Sequence, residues 1–215
     1  MSKIQVGVYT IGMVQTNFYY LHLEDSNEVV VFDPADNGDL LYEKLTAQGL
    51  QVRAIFLTHA HFDHILGANE LRELAKAPLY AYEEEQVLCE DADNNCSREC
   101  GKPYTVVPDR YLKDAEAITA AGITVHVIAT PGHTVGSCCY YIEHTDGEEI
   151  QHILMSGDTL FEESIGRTDL PTGSTSALIR SIRDRLFELP DDTTVCPGHG
   201  GFTTIGHEKK YNAFV

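Results

Sequence analysis

The sequence predicts two β-sheets with helices on their outer faces, and three observations predict it. Strand-like stretches fill both halves of the chain. Helical spacing separates them. No Ser/Gly linker and no internal repeat divides the 215 residues. That length favours one domain and buries well over half of the unfolded surface, so the chain needs no staples to fold.

The elements follow in order. Residues 3–9 and 17–23 alternate apolar and polar side chains, as half-buried strands do. Asp25-Ser26-Asn27-Glu28 reads as a hairpin turn. Val29-Val30-Val31-Phe32 is a continuous apolar run that ends at Asp33-Pro34, the pattern of a buried strand. Leu40, Leu41 and Leu45 carry helical spacing over 38–48, with Gly49 as a C-terminal stop. Ala54-Ile55-Phe56-Leu57 is a second buried strand, followed by a helix over 67–76 and a short strand at 79–81. Residues 83–113 are acidic and hold three cysteines. They read as a short helix and then an irregular insert. Strands return at 123–129, 136–142 and 150–156. Leu178, Ile179, Ile182, Leu186 and Phe187 share one face of a helix over 176–188. Thr193-Thr194-Val195-Cys196 is a last short strand, and the tail after His207 reads as a terminal helix.

Composition narrows the function. With 15 Lys and Arg against 33 Asp and Glu, the formal net charge is −18. A groove that tracks nucleic-acid phosphates needs the opposite balance, as does an anionic membrane surface, so neither is the expected partner. No apolar run approaches the ~18 residues of a membrane span. Met1-Ser2-Lys3-Ile4-Gln5 lacks the apolar core of a signal peptide, so the expected location is cytoplasmic. The six cysteines are then expected as reduced thiols. Cys138 and Cys139 fall in an apolar strand-like run and act as small hydrophobes. Cys89, Cys96 and Cys100 form no Cys-x-x-Cys pair and read as incidental loop residues.

The chemistry concentrates in Thr58-His59-Ala60-His61-Phe62-Asp63-His64. His59 and His61 lie two apart just past a buried strand, so extended backbone points both to the same side. Asp63 and His64 follow at the start of the next helix and project from a different angle. One loop thus offers four ligands in two directions, which suits two adjacent metals better than one. Four titratable groups packed after an apolar strand would repel or stay unpaired without a cation. Imidazole suits zinc and iron, and a carboxylate admits harder metals. Three further positions repeat one design, a buried strand running into a small-residue turn that bears a polar side chain. Thr130-Pro131-Gly132 leads to His133, Ser156-Gly157 to Asp158, and Pro197-Gly198 to His199.

Thr-His-Ala-His-Phe-Asp-His at 58–64, Pro-Gly-His-Thr at 131–134, Gly-Asp-Thr-Leu-Phe at 157–161 and Pro-Gly-His-Gly at 197–200 resemble the metallo-β-lactamase superfamily. More narrowly they resemble its glyoxalase II-like (hydroxyacylglutathione hydrolase-like) members. The resemblance implies an α+β fold, a four-layer αββα sandwich, with the site at one edge of the sheets. It implies His59, His61 and His133 around a first metal, and Asp63, His64 and His199 around a second. Asp158 would bridge the two, where many lactamases carry Cys. Two divalent ions per chain are expected, zinc first, with iron or manganese as alternatives.

The resemblance also implies a mechanism. Two metals roughly 3.5–4 Å apart lower the pKa of a shared water toward ~7. The resulting hydroxide attacks a carbonyl, and Asp63 orients it and accepts a proton as the catalytic carboxylate. A thiolate leaves with little acid help, so a small thioester such as S-lactoylglutathione is the expected substrate. Arg167 and Asp169 stand roughly where glyoxalase II contacts glutathione; they read either as substrate contacts or as a loop-stiffening pair. The sequence departs from glyoxalase II after His199, where Gly200-Gly201-Phe202 replaces a tyrosine, and it shows no separate C-terminal helical domain. The expectation is thus one metallo-β-lactamase-like domain over 1–215, monomeric or homodimeric. Two readings compete within the superfamily: a persulfide dioxygenase-like oxidoreductase with one iron on His61, His133 and Asp158, and a phosphodiesterase.

Overall fold

A computed structural model of the chain describes residues 2–215. Its first sheet holds β1 (Ile4–Ile11), β2 (Thr16–Leu23), β3 (Glu28–Phe32), β4 (Gln51–Phe56), β5 (Leu79–Tyr82) and β6 (Arg110–Leu112), side by side in chain order. β1 to β3 run antiparallel through short turns. β3 to β6 run parallel, which requires crossovers. The crossovers carry α1 (Gly38–Ala47), α2 (Phe62–Ile65), α3 (Ala68–Ala75) and α4 (Gln86–Cys89). The second sheet is built from β7 (Ala117–Ala120), β8 (Ile123–Ala129), β9 (Cys138–Asp146), β10 (Glu149–Gly157), β13 (Thr194–Pro197) and β14 (Thr203–Thr204), in the order β14-β13-β10-β9-β8-β7. A small hairpin of β11 (Leu160–Phe161) and β12 (Ser164–Ile165) follows β10. α5 (Thr175–Asp184) and α6 (Ile205–Tyr211) complete the chain.

Strand periodicity generates the layers. Along β3, Val29 and Val31 point to a cluster shared with Leu41 and Leu45 of α1 and Leu71 of α3. Val30 and Phe32 point the other way, into a cluster with Val125, Tyr140 and Met155 of the second sheet. Along β10, Ile153 and Met155 join that central cluster, while Leu154 joins Leu178, Ile182 and Leu186 on the far side. Both strands are buried on both faces, which is why they read as unbroken apolar runs. The result is the α+β, four-layer αββα sandwich. Burying a Leu or Phe side chain contributes ~1.5–3 kcal/mol, so the central Phe32, Phe56 and Tyr140 are major determinants of the fit between the sheets. Tyr140 also donates its hydroxyl to the Leu57 carbonyl at 2.8 Å, fixing the base of the His59 loop. Among the described residues, no helix is long and apolar enough to cross a membrane.

Several elements differ from expectation. The strand expected at 136–142 begins at Cys138 and runs on to Asp146, because its outer half pairs with β10 in a long hairpin. The helix expected over 176–188 ends at Asp184. Arg185 leaves helical geometry (φ −120°, ψ −54°), and Leu186–Glu188 continues as a 3-10 turn. The insert at 83–113 ends in β6, and the edge strand β7 precedes β8. Neither has an apolar run to announce it. Ser174 caps α5 by accepting from the Ala177 N–H, and Thr204 caps α6 through His207.

The C-terminal ends of β3, β4, β8, β10 and β13 deliver Asp33, His59, His133, Asp158 and His199 to one edge of the sandwich. Two backbone bonds cross between the sheets there, Cys138 N–H to the Thr58 carbonyl at 2.9 Å and Asn17 N–H to the Gly198 carbonyl at 2.7 Å.

Candidate metal centre

All seven expected side chains meet in one cluster. The donor atoms of His59, His61 and His133 lie within 4.8 Å of one another, as do those of Asp63, His64 and His199. Asp158 lies between the two groups. Its Oδ2 is 3.6 Å from His133 Nε2 and 3.5 Å from His199 Nε2, and its Oδ1 is 3.4 Å from His64 Nε2. His61 Nδ1 and His133 Nε2 approach to 2.9 Å, a separation at which two ring nitrogens share a proton or a cation.

The residues present fit divalent cations. Buried polar atoms normally find partners. Here the Nε2 atoms of His59, His61 and His64 and Oδ1 of Asp158 are buried with none, and all belong to this cluster. Imidazole and carboxylate together suit zinc, iron or manganese.

Each half is aligned differently. His133 Nδ1 is held at 2.7 Å by the Arg167 carbonyl, which turns Nε2 inward. His59 Nδ1 meets Thr58 Oγ1 at 3.1 Å. On the other side Asp33 is central. Its carboxylate accepts from Thr58 N–H and Oγ1, both at 2.7 Å, and lies 2.9 Å from His64 Nδ1, so His64 presents Nε2 to the centre. Thr16 donates to Asp63 at 2.7 Å. Asn17 grips the His199 loop through the carbonyls of Pro197 and Gly200. A Cβ at Gly198 would collide with Asp158 Oδ1 and His64 Cε1, so glycine is required where this loop passes the centre.

Protonation separates the halves. Burial holds His61 down at about 3, and burial with neighbouring imidazoles holds His59 well below its usual value. Burial also lowers His133, against the pull of Asp158. Burial works the same way on His64, but Asp63, Asp158 and Asp33 outweigh it and raise His64 well above the usual imidazole range. His199 is lowered by burial but carried up to about 9 by hydrogen bonds to Asp158 and Asp63. Burial raises Asp63, but the His64 charge and the His199 hydrogen bond bring it to about 2. Asp158 stays ionised for similar reasons.

A cleft of about 170 Å³ opens onto the cluster, walled by Val14, Phe62, Cys96, Arg167 and Leu170. Arg167 and Asp169 pair with each other, Nε and Nη2 donating to the two carboxylate oxygens at 2.7 and 2.8 Å. None of the six cysteines forms a disulfide. Sequence reasoning missed Asp33, Thr16 and Asn17. The Asp33-Pro34 break carried a signal, but it read as the end of a strand.

A profile of the metallo-beta-lactamase superfamily matches residues 11–199. The chain belongs to that superfamily. It is 36% identical over 207 residues to the probable metallo-hydrolase YqgX of Bacillus subtilis, covering 95% of this chain and 94% of that one. It is 32% identical over 196 residues to the hydroxyacylglutathione hydrolase GloC of Haemophilus influenzae, covering 89% of each. The crystal structure of the B3 metallo-beta-lactamase BLEG-1 is similar at a TM-score of 0.88 and 39% identity, covering 98% of this chain and 99% of that one. That of TTHA1623 in a di-iron-bound form is similar at 0.80 and 34%, covering 97% and 100%. These relatives place the chain among the metallo-hydrolases of the superfamily.

Proposed function

We propose that the protein hydrolyses a small thioester with two divalent cations, one on His59, His61 and His133 and one on Asp63, His64 and His199, with Asp158 between them. The observation that carries this reading is the convergence of seven side chains from four strand ends on one cluster, in which the Nε2 atoms of His59, His61 and His64 are buried without hydrogen-bond partners. When bound, the two cations supply Lewis acidity and lower the pKa of a water toward ~7. The side chains do the rest. Asp63, ionised and held by Thr16, faces the cleft and can orient a nucleophilic water and take its proton. Val14, Phe62 and Leu170 exclude bulk water from one wall, and the cleft's modest volume suits a small acyl group.

Leaving-group chemistry supports a thioester. Apart from five of the cluster residues (His61, Asp63, His133, Asp158 and His199) and the paired Arg167, the cleft is walled by Val14, Phe62, Cys96 and Leu170, and the Cys96 thiol is pushed up by burial. A thiolate departs without a strong acid, whereas an amine must be protonated. The similarity to GloC supports the same class, and the di-iron form of TTHA1623 supports two ions.

The test is metal quantification on purified protein, paired with turnover of S-lactoylglutathione, other thioesters and a β-lactam. Two metal equivalents and preference for a thioester are expected. One equivalent of iron with oxygen uptake and no hydrolysis would overturn the reading.

A further inference from the structure

Glu83-Glu84-Glu85 follows β5 and opens the insert at 83–113, and the proposed hydrolysis uses none of the three. Glu83 and Glu84 are exposed, but Glu85 is only 1% exposed. A carboxylate in the interior persists only where donors surround it. Two do so here. The Ala60 N–H donates to Oε1 at 2.7 Å, and Thr134 Oγ1 donates to Oε2 at 2.7 Å. These donors come from two loops on different sheets. Ala60 lies between His59 and His61 after β4, and Thr134 directly follows His133 after β8. Gly136 packs so closely that a Cβ there would collide with the Glu85 backbone. Thr134 is itself fixed, with its N–H on Ser137 Oγ at 3.0 Å.

We propose that Glu85 is a positioning residue for the first cation: its carboxylate clamps the His59–His61 loop of one sheet to the His133 loop of the other. This rests on the two-cation reading above. The 2.9 Å approach of His61 to His133 spans those same two loops. The other three side chains are aligned by Asp33, Thr16 and Asn17, so Glu85 acts on one half of the centre.

The test is zinc binding by calorimetry with a competing chelator, on wild type, Glu85→Gln, Thr134→Val and Thr134→Ser, alongside melting of the metal-stripped proteins. The Glu85→Gln change keeps the side-chain volume but turns an N–H₂ toward a donor. The Thr134→Val change removes the hydroxyl from the clamp without touching Glu85, so the test survives if one variant fails to fold. Expected is a loss of about 10–100-fold in affinity for one zinc equivalent in both variants, the range for groups that orient metal ligands. The other equivalent should stay at wild-type affinity, and Thr134→Ser should restore both. Two wild-type equivalents in Glu85→Gln and Thr134→Val would overturn the clamp. So would an equal loss at both sites that tracks a lower melting temperature. A wild-type protein that binds no zinc would sink the two-cation reading itself, a result distinct from variants that bind as wild type does.

Discussion

The two halves of the centre hold similar side chains in opposite electrical states. His59, His61 and His133 are dry and neutral, because burial holds their protons off. His64 is buried too and His199 partly so, yet they keep protons because Asp63 and Asp158 lie 3.3–3.5 Å from their ring nitrogens, with Asp33 2.9 Å from His64 as well. Desolvation dominates where at most one carboxylate is close, as at His133, and charge dominates where two or three are. One half therefore presents free lone pairs to a cation at neutral pH, while the other must first give up protons. Asp158 touches both and couples them.

Removing one ligand from each half gives the largest effect. His61→Ala should abolish thioester turnover, a loss beyond the ~100-fold reached by changes outside the ligand set. His64→Ala should remove the second metal equivalent and most of the turnover while leaving the first equivalent bound. Atomic absorption on the purified variants, with initial rates, reads both. A His64→Ala protein with wild-type activity would remove the reason for a second site.

A smaller effect should come from Asp33, which touches no substrate-facing atom and aims His64. Asp33→Asn keeps the shape but loses the charge that three donors share. Affinity for the second equivalent should fall by about 10–100-fold and that for the first by less, since Asp33 reaches His59 only through Thr58. Chelator competition measures this, and an equal loss at both equivalents would show that the halves do not act separately.

These residues also show what a linear sequence can reveal. His59, His61, Asp63 and His64 were legible because they are contiguous. His133, Asp158 and His199 were legible because each follows an apolar strand and a Gly-bearing turn. Asp33 was not, because its role exists only once β3 and β4 pair in parallel with Phe32 opposite Phe56, which sets its carboxylate beside Thr58. Glu85 lay hidden in an acidic run whose other two members are exposed. The long buried strands were readable for the same reason the core forms. The two-residue strands β11, β12 and β14 and the edge strand β7 were not, since pairing rather than burial defines them.

The proton difference gives the finest test of the comparison. In metal-stripped protein, His199 is raised to about 9, above its unfolded value near 6.5. Its pairing with the carboxylates thus stabilises the fold fully below pH ~6.5, and that contribution is lost as pH rises through 9. Metal binding runs the other way, because coordination needs the neutral ring and must displace the proton. The His199 contribution to affinity for the second equivalent should therefore climb between about pH 7 and 9, by up to about tenfold per pH unit, and then level off. His61, held at about 3, has no proton to lose in that range, so its half should not share the slope. Calorimetry in buffers of different ionisation enthalpy counts the protons. His199→Ala should release about one fewer than wild type at about pH 7. Equal release would mean that His199 is already neutral there, and the charge asymmetry would fall with it.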